Sequence, residues 1–140
     1  MANKIYFSKK LNYDDDKCKT ICDFINFCAE DLNVHESEFE VYIESLRGEN
    51  RPIVTTAAYS PAKKCCYVFG KDRATVDVCR SIAHEMTHMM QDLNGKLVGV
   101  IQDVGGFHED QANAKAGEII KKYAYSKDDR MKIYESKKTV

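Results

Sequence analysis

The sequence predicts an α+β fold, and three observations carry that prediction. A helical-period segment lies near the N-terminus, three short strand-like runs fall between residues 38 and 70, and two long amphipathic segments follow. With 140 residues, 44% of them hydrophobic and only seven Gly and two Pro, the chain reads as one globular domain, residues 1–140. A chain of this length can bury roughly two-thirds of its unfolded surface, enough for a core without staples.

The elements follow in order. Ile5, Tyr6 and Phe7 form a short extended start. Asp14-Asp15-Asp16 then supply an N-cap and first-turn negative charge for a helix, because acidic groups satisfy the exposed N–H groups and oppose the positive end of the dipole. Its apolar positions, Cys18, Ile21, Cys22, Ile25, Cys28 and Ala29, recur at helical spacing to about Leu32. From Glu38 to Leu46, Phe39, Val41 and Ile43 alternate with Glu38, Glu40, Tyr42 and Glu44, the pattern of a half-buried strand. Arg47 to Pro52 is a turn, Ile53 to Tyr59 a second strand closed by Ser60-Pro61, and Cys65 to Phe69 a third closed by Gly70. Helices are predicted over 74–93 and 107–125, separated by a loop carrying Gly95, Gly99, Gly105 and Gly106. Ser126 to Val140 is charged and reads as a terminal helix or a tail.

Composition removes several functional classes. A formal net charge of −1, with no basic stripe interleaved with aromatics, argues against a nucleic-acid partner. No apolar run approaches the ~18 residues that a membrane-spanning helix needs. The start, MANKIYFSKK, lacks the apolar region and cleavage site of a signal peptide. Cys18, Cys22, Cys28, Cys65, Cys66 and Cys79 match neither a zinc ribbon nor a CxxC redox pair. They are expected to be reduced small hydrophobes, in keeping with a cytoplasmic location.

One motif carries chemistry: His84-Glu85-Met86-Thr87-His88, an HExxH. Residues four apart share a helix face, so both imidazoles can reach one ion while Glu85 stands beside it to hold a water. Val76, Cys79, Ala83, Met86, Met90 and Leu93 form an apolar stripe on this helix. His84 and His88 fall on a different face, with Asp77, Arg80, Ser81 and Gln91. A catalytic zinc wants three protein ligands and one open position. The metzincin continuation fails, since Gln91 and Asn94 stand where Gly and His are required. Downstream, Glu109 and Asn113 are four apart on the second helix and face the same way. His108, next to Glu109, is an alternative ligand, and Asp103 a more distant one. His35, in a polar loop, reads as a surface residue.

HExxH followed about twenty residues later by E-x-x-x-N resembles the gluzincin metallopeptidases, the thermolysin-like group. The resemblance implies that Glu109 is the third ligand and that Asn113 orients His84. Arg80-Ser81-Ile82-Ala83 before the motif and Glu109-x-x-Ala112-Asn113 after it are similar to small ImmA/IrrE-like metallopeptidase domains of bacteria and mobile elements, phages included. That group shows a second acidic residue where this chain has Gln111. Ala57-Ala58-Tyr59 and Cys65 to Gly70 resemble the thermolysin pair of an edge strand and an inner strand.

What the resemblance implies is specific. The sheet would be small, twisted and mostly antiparallel, packed on the HExxH helix. One Zn2+ per chain would be held by His84, His88 and Glu109. The activity would be that of a small endopeptidase in which Glu85 takes a proton from a zinc-polarised water and delivers it to the leaving amine. An oxyanion donor is also needed, and Tyr123, Tyr125 and Tyr134 are candidates. An extended protein or peptide substrate could pair with the edge strand near 53–59. Two alternatives keep the same fold: a regulatory zinc-binding module that cleaves nothing, and a latent protease whose segment 126–140, with Met131, Ile133 and Tyr134, blocks the cleft.

Overall fold

The structure, a computed structural model, describes residues 4–46, 56–95 and 107–134. Strand β1 (Lys4–Phe7) leads to helix α1 (Asp15–Asp31), followed by β2 (Glu40–Glu44), β3 (Ala57–Ser60) and β4 (Cys65–Phe69). Helices α2 (Thr75–Leu93) and α3 (Phe107–Ser126) complete the site-bearing half, and a 3-10 helix (Asp128–Tyr134) follows. The architecture is α+β, as the sequence pattern predicts. Asp14 caps α1, its carboxylate accepting from the Lys17 amide at 2.7 Å.

The four strands form one sheet in the order β1-β2-β4-β3. Contrary to expectation, it is not mostly antiparallel. β1 pairs with β2 in parallel (Ile5 opposite Val41), and β2 pairs with β4 in parallel (Val41 opposite Cys66). Only β3 is antiparallel, to β4 (Tyr59 opposite Cys66). The reason is connectivity. α1 carries the chain back across the sheet, so β2 enters beside β1 in the same direction, whereas the short 61–64 turn forces β3 and β4 to oppose each other. With β3 on the outside, β4 is left to meet β2.

One sheet face is apolar. Val41, Ile43, Cys66 and Val68 are buried there in a single core with Phe24, Ile25 and Cys28 of α1. The other face carries a cross-strand row, Tyr6, Tyr42 and Tyr67, in register. Their rings stack at centroid separations of 4.8 and 5.4 Å with interplanar angles of 17° and 20°.

α2 is the central helix, touching β3, β4, α1, α3 and the 3-10 helix. That crowding turns its buried stripe away from the expected one. Val78, Cys79, Ile82, Ala83, Met86 and Met89 are fully buried, while Val76 and Met90 are half-buried and Leu93 is exposed. The approach to α2 is fixed by Gly70, whose carbonyl accepts from the Tyr13 hydroxyl at 2.6 Å. A Cβ at that position would strike the same hydroxyl and lie 2.7 Å from Ile43 Cγ2, so only glycine fits.

All six cysteines are free thiols. Burial pushes the Cys28, Cys66 and Cys79 thiols well above their usual range, so they behave as neutral core groups. Among the described residues no helix is long and apolar enough to cross a membrane.

Candidate metal centre

Two consecutive helices build the site. His84, Glu85 and His88 project from the middle of α2, and Glu109 and Asn113 from the first two turns of α3. Spacing by four places the two imidazoles on one side of α2, with ring centroids 4.9 Å apart and nearly perpendicular at 80°. Glu109 lies across both: Oε1 is 2.7 Å from His84 Nε2 and Oε2 is 3.0 Å from His88 Nε2. The three side chains are largely shielded, at 17%, 6% and 17% exposure for His84, His88 and Glu109.

His84 also hydrogen-bonds Asn113, the contact that the family resemblance implies. Burial is the largest influence on the His84 imidazole and holds it below its usual range, against the opposing pull of Glu109. The neutral ring, the form that ligates metals, is therefore favoured.

The donor set fits a divalent cation. Candidate ligand atoms of His84, His88 and Glu109 all lie within 4.8 Å of one another. Tetrahedral zinc with bonds near 2.0–2.1 Å sets its ligand atoms roughly 3.3 Å apart, so the observed 2.7 and 3.0 Å contacts need only a small outward shift of the carboxylate. Two imidazoles and one carboxylate are the ligand chemistry of catalytic zinc with one position left open.

Of the two neighbours weighed as third ligand, only Glu109 joins the cluster. His108 is turned away. Its ring lies edge-on to Phe107 at 5.7 Å, and its buried Nδ1 has no hydrogen-bond partner among the described residues. Asp103, residues 53–55 of the expected second strand, the 47–52 turn and most of the glycine-bearing loop lie outside the described residues.

The cluster opens onto a cleft of about 340 Å³ between the start of β3 and the two helices. Thr56 and Ala57 form one wall, and Arg80, Ser81 and Glu85 lie on the helical side with the donors. Glu85 is buried, at 7% exposure, yet reaches the cleft. β3 is one of the two edge strands of the sheet formed by the described residues, and its first residue, Ala57, borders the cleft.

The tyrosines do not reach the site. Tyr123 is buried, its hydroxyl donates to Asp23 Oδ2 at 2.7 Å, and its ring packs on Phe24 and Phe27. It stands ten residues beyond Asn113, roughly 15 Å further along α3. Tyr125 and Tyr134 are exposed elsewhere, at 67% and 42%. Among the described residues that line the cleft, the cation is Arg80, to which the sequence reading gave no role in the site.

Of the readings given to segment 126–140 (a terminal helix, a tail or a plug), residues 128–134 take the form of a short 3-10 helix packed on the core. Ile133 is fully buried in the core. Arg130 grips Asp23 through Nε and Nη2 at 2.9 and 3.0 Å, and Lys132 pairs with Asp16 at 2.9 Å. Residues 135–140 lie outside the described residues.

Sequence reasoning also missed the role of Gln91. It is fully buried, with Oε1 2.9 Å from His88 Nδ1 and Nε2 2.9 Å from both the His108 carbonyl and Gln111 Oε1. The available signal was its position one turn after His88, which the absence of a metzincin pattern caused to be set aside.

Comparison with models of known protein families, with curated proteins and with solved structures yields no match.

Proposed function

We propose that this chain is a zinc-dependent peptidase of the gluzincin type. The observation that supports it is the convergence of His84, His88 and Glu109 from two helices, with Glu85 beside them, in a cleft bordered by an edge strand. Zinc held by those three donors supplies a Lewis acid that brings the pKa of a water toward ~7 and polarises a carbonyl.

The chain's own residues do the remaining work. Glu85 accepts a proton from the attacking water and returns it to the leaving amine. Its burial beside the donors keeps that carboxylate close to where the water must stand. Arg80 lines the same cleft and pairs through Nη1 with Asp77 at 3.2 Å; released from that exposed pair, it would offer a positive charge to developing oxyanion or to a substrate carboxylate. An extended peptide would lie along β3, adding a strand at the sheet edge, with the scissile bond over the donors. Free thiols in all six cysteines suit a reducing compartment, and we place the enzyme in the cytoplasm on that ground.

Elemental mass spectrometry of the purified protein beside His88→Ala tests the centre. About one zinc per chain, lost in the variant, is expected. Glu85→Gln should then retain zinc and lose hydrolysis of an unstructured protein substrate. No zinc in either protein after zinc is offered overturns the metal centre; zinc without any hydrolysis overturns the peptidase.

A further inference from the structure

We infer that Gln91 is a positioning residue that decides which ring nitrogen of His88 faces the metal centre and ties the Glu109-bearing turn of α3 to α2. The inference rests on the metal-centre reading above and adds a residue to it.

The argument begins with an acceptor that cannot change its nature. A backbone carbonyl only accepts hydrogen bonds, and the His108 carbonyl lies 2.9 Å from Gln91 Nε2. That contact fixes the orientation of the Gln91 amide. The amide oxygen must then be the atom 2.9 Å from His88 Nδ1. An amide oxygen also only accepts, so the ring hydrogen of a neutral His88 sits on Nδ1 and the lone pair sits on Nε2.

Nε2 is the nitrogen turned toward Glu109, 3.0 Å from Oε2. A lone pair facing a carboxylate at that distance is the arrangement that a shared cation completes. Gln91 therefore presents His88 in its ligating tautomer, as Asn113 braces His84 on the other side.

The second amide hydrogen of Gln91 reaches Gln111 Oε1 at 2.9 Å. His108 and Gln111 flank Glu109 in the α3 sequence, so one side chain from α2 holds the stretch that carries the third donor. Gln91 is fully buried, and a buried amide with both hydrogens and its oxygen engaged is rigid, because any rotation leaves polar groups unpaired.

A side chain that merely fills space would not behave as this one should under substitution. Gln91→Leu removes both the acceptor for His88 and the donations to α3. Gln91→Glu weakens the hold on α3 yet keeps an oxygen opposite His88 Nδ1. Zinc affinity, read by competition with a chromophoric chelator, should fall roughly 10–100-fold in Gln91→Leu. Gln91→Glu should bind zinc at least as tightly as the parent, although the thermal unfolding of both metal-free variants is shifted downward. Equal losses of zinc affinity in both, or parental affinity in Gln91→Leu, would overturn the assignment. A readout that needs no variant to fold is the two-bond 1H–15N spectrum of the zinc-loaded parent. It should show His88 protonated at Nδ1, and protonation at Nε2 would refute the inference. A parent that binds no zinc at all fails differently, because it removes the metal centre itself.

Discussion

Replacing Ile133 with alanine separates a packed terminus from a blocking one. Ile133 is fully buried, and truncation to Ala removes three carbon groups. At about 0.8 kcal/mol for each, the lost transfer free energy is roughly 2.4 kcal/mol. Incomplete collapse of the surrounding core adds a cavity contribution, bringing the cost to about 3 kcal/mol. A 140-residue chain unfolds with an entropy near 0.3 kcal/mol/K, so the melting temperature should fall by about 10 °C. The site should be untouched. α3 has 20 residues, a span of about 30 Å, with the donors near its start and the 3-10 helix beyond its end. Differential scanning calorimetry and zinc content, measured on the same preparation, read both quantities. An unchanged melting temperature together with raised peptide hydrolysis would refute the reasoning and restore the picture of a segment that blocks the cleft.

Other perturbations test the site and its support. Glu109→Ala should weaken zinc binding far more than His108→Ala, because only the first side chain joins the cluster; the reverse order in a metal titration would move the third donor. Gly70→Ala should cost about 2–4 kcal/mol in chemical denaturation, combining overpacking against Ile43 with loss of the Tyr13 bond; a neutral result would show that this junction yields. The metal-free protein should lose stability as pH falls. His84 is held below its ordinary value of 6.5, chiefly by burial, so the unfolded chain takes up that proton first. Stability is therefore complete above about pH 6.5, declines below it, and levels off once the folded value is passed. Denaturation at about pH 7.5 and about pH 5.5 reads the sign, and greater stability at the lower pH would contradict it.

The elements that local chemistry controls were legible in the sequence. Asp14 caps α1, Cys65–Phe69 is a strand with the bounds expected, and α2 and α3 begin and end within a residue of their predicted limits. Spacing by four put His84 with His88 on one face of α2 and Glu109 with Asn113 on one face of α3, because a helix converts sequence separation directly into direction; that the two pairs should meet was implied by the family resemblance alone. What depended on distant partners was not legible. The parallel pairing of β1 and β2 follows from a crossover that alternation cannot report. The buried stripe of α2 was misplaced because neighbours surround most of its circumference, making residues such as Thr87 and Gln91 interior although they are polar. Tyr123 was offered as a donor from residue type alone, whereas Asp23, a hundred residues away, had already claimed its hydroxyl.

The tyrosine row on the outer sheet face gives the protein its own optical probe. There is no tryptophan and there are eight tyrosines, so ultraviolet emission comes from phenol rings alone and no indole drains it. Excitation absorbed by Tyr6, Tyr42 or Tyr67 can pass among rings stacked across three strands, and each transfer turns the polarisation by the angle between the two ring dipoles. Detaching β1 would isolate Tyr6 from that exchange. Fluorescence anisotropy would therefore register the peeling of a single edge strand before the helices give way, with no label attached.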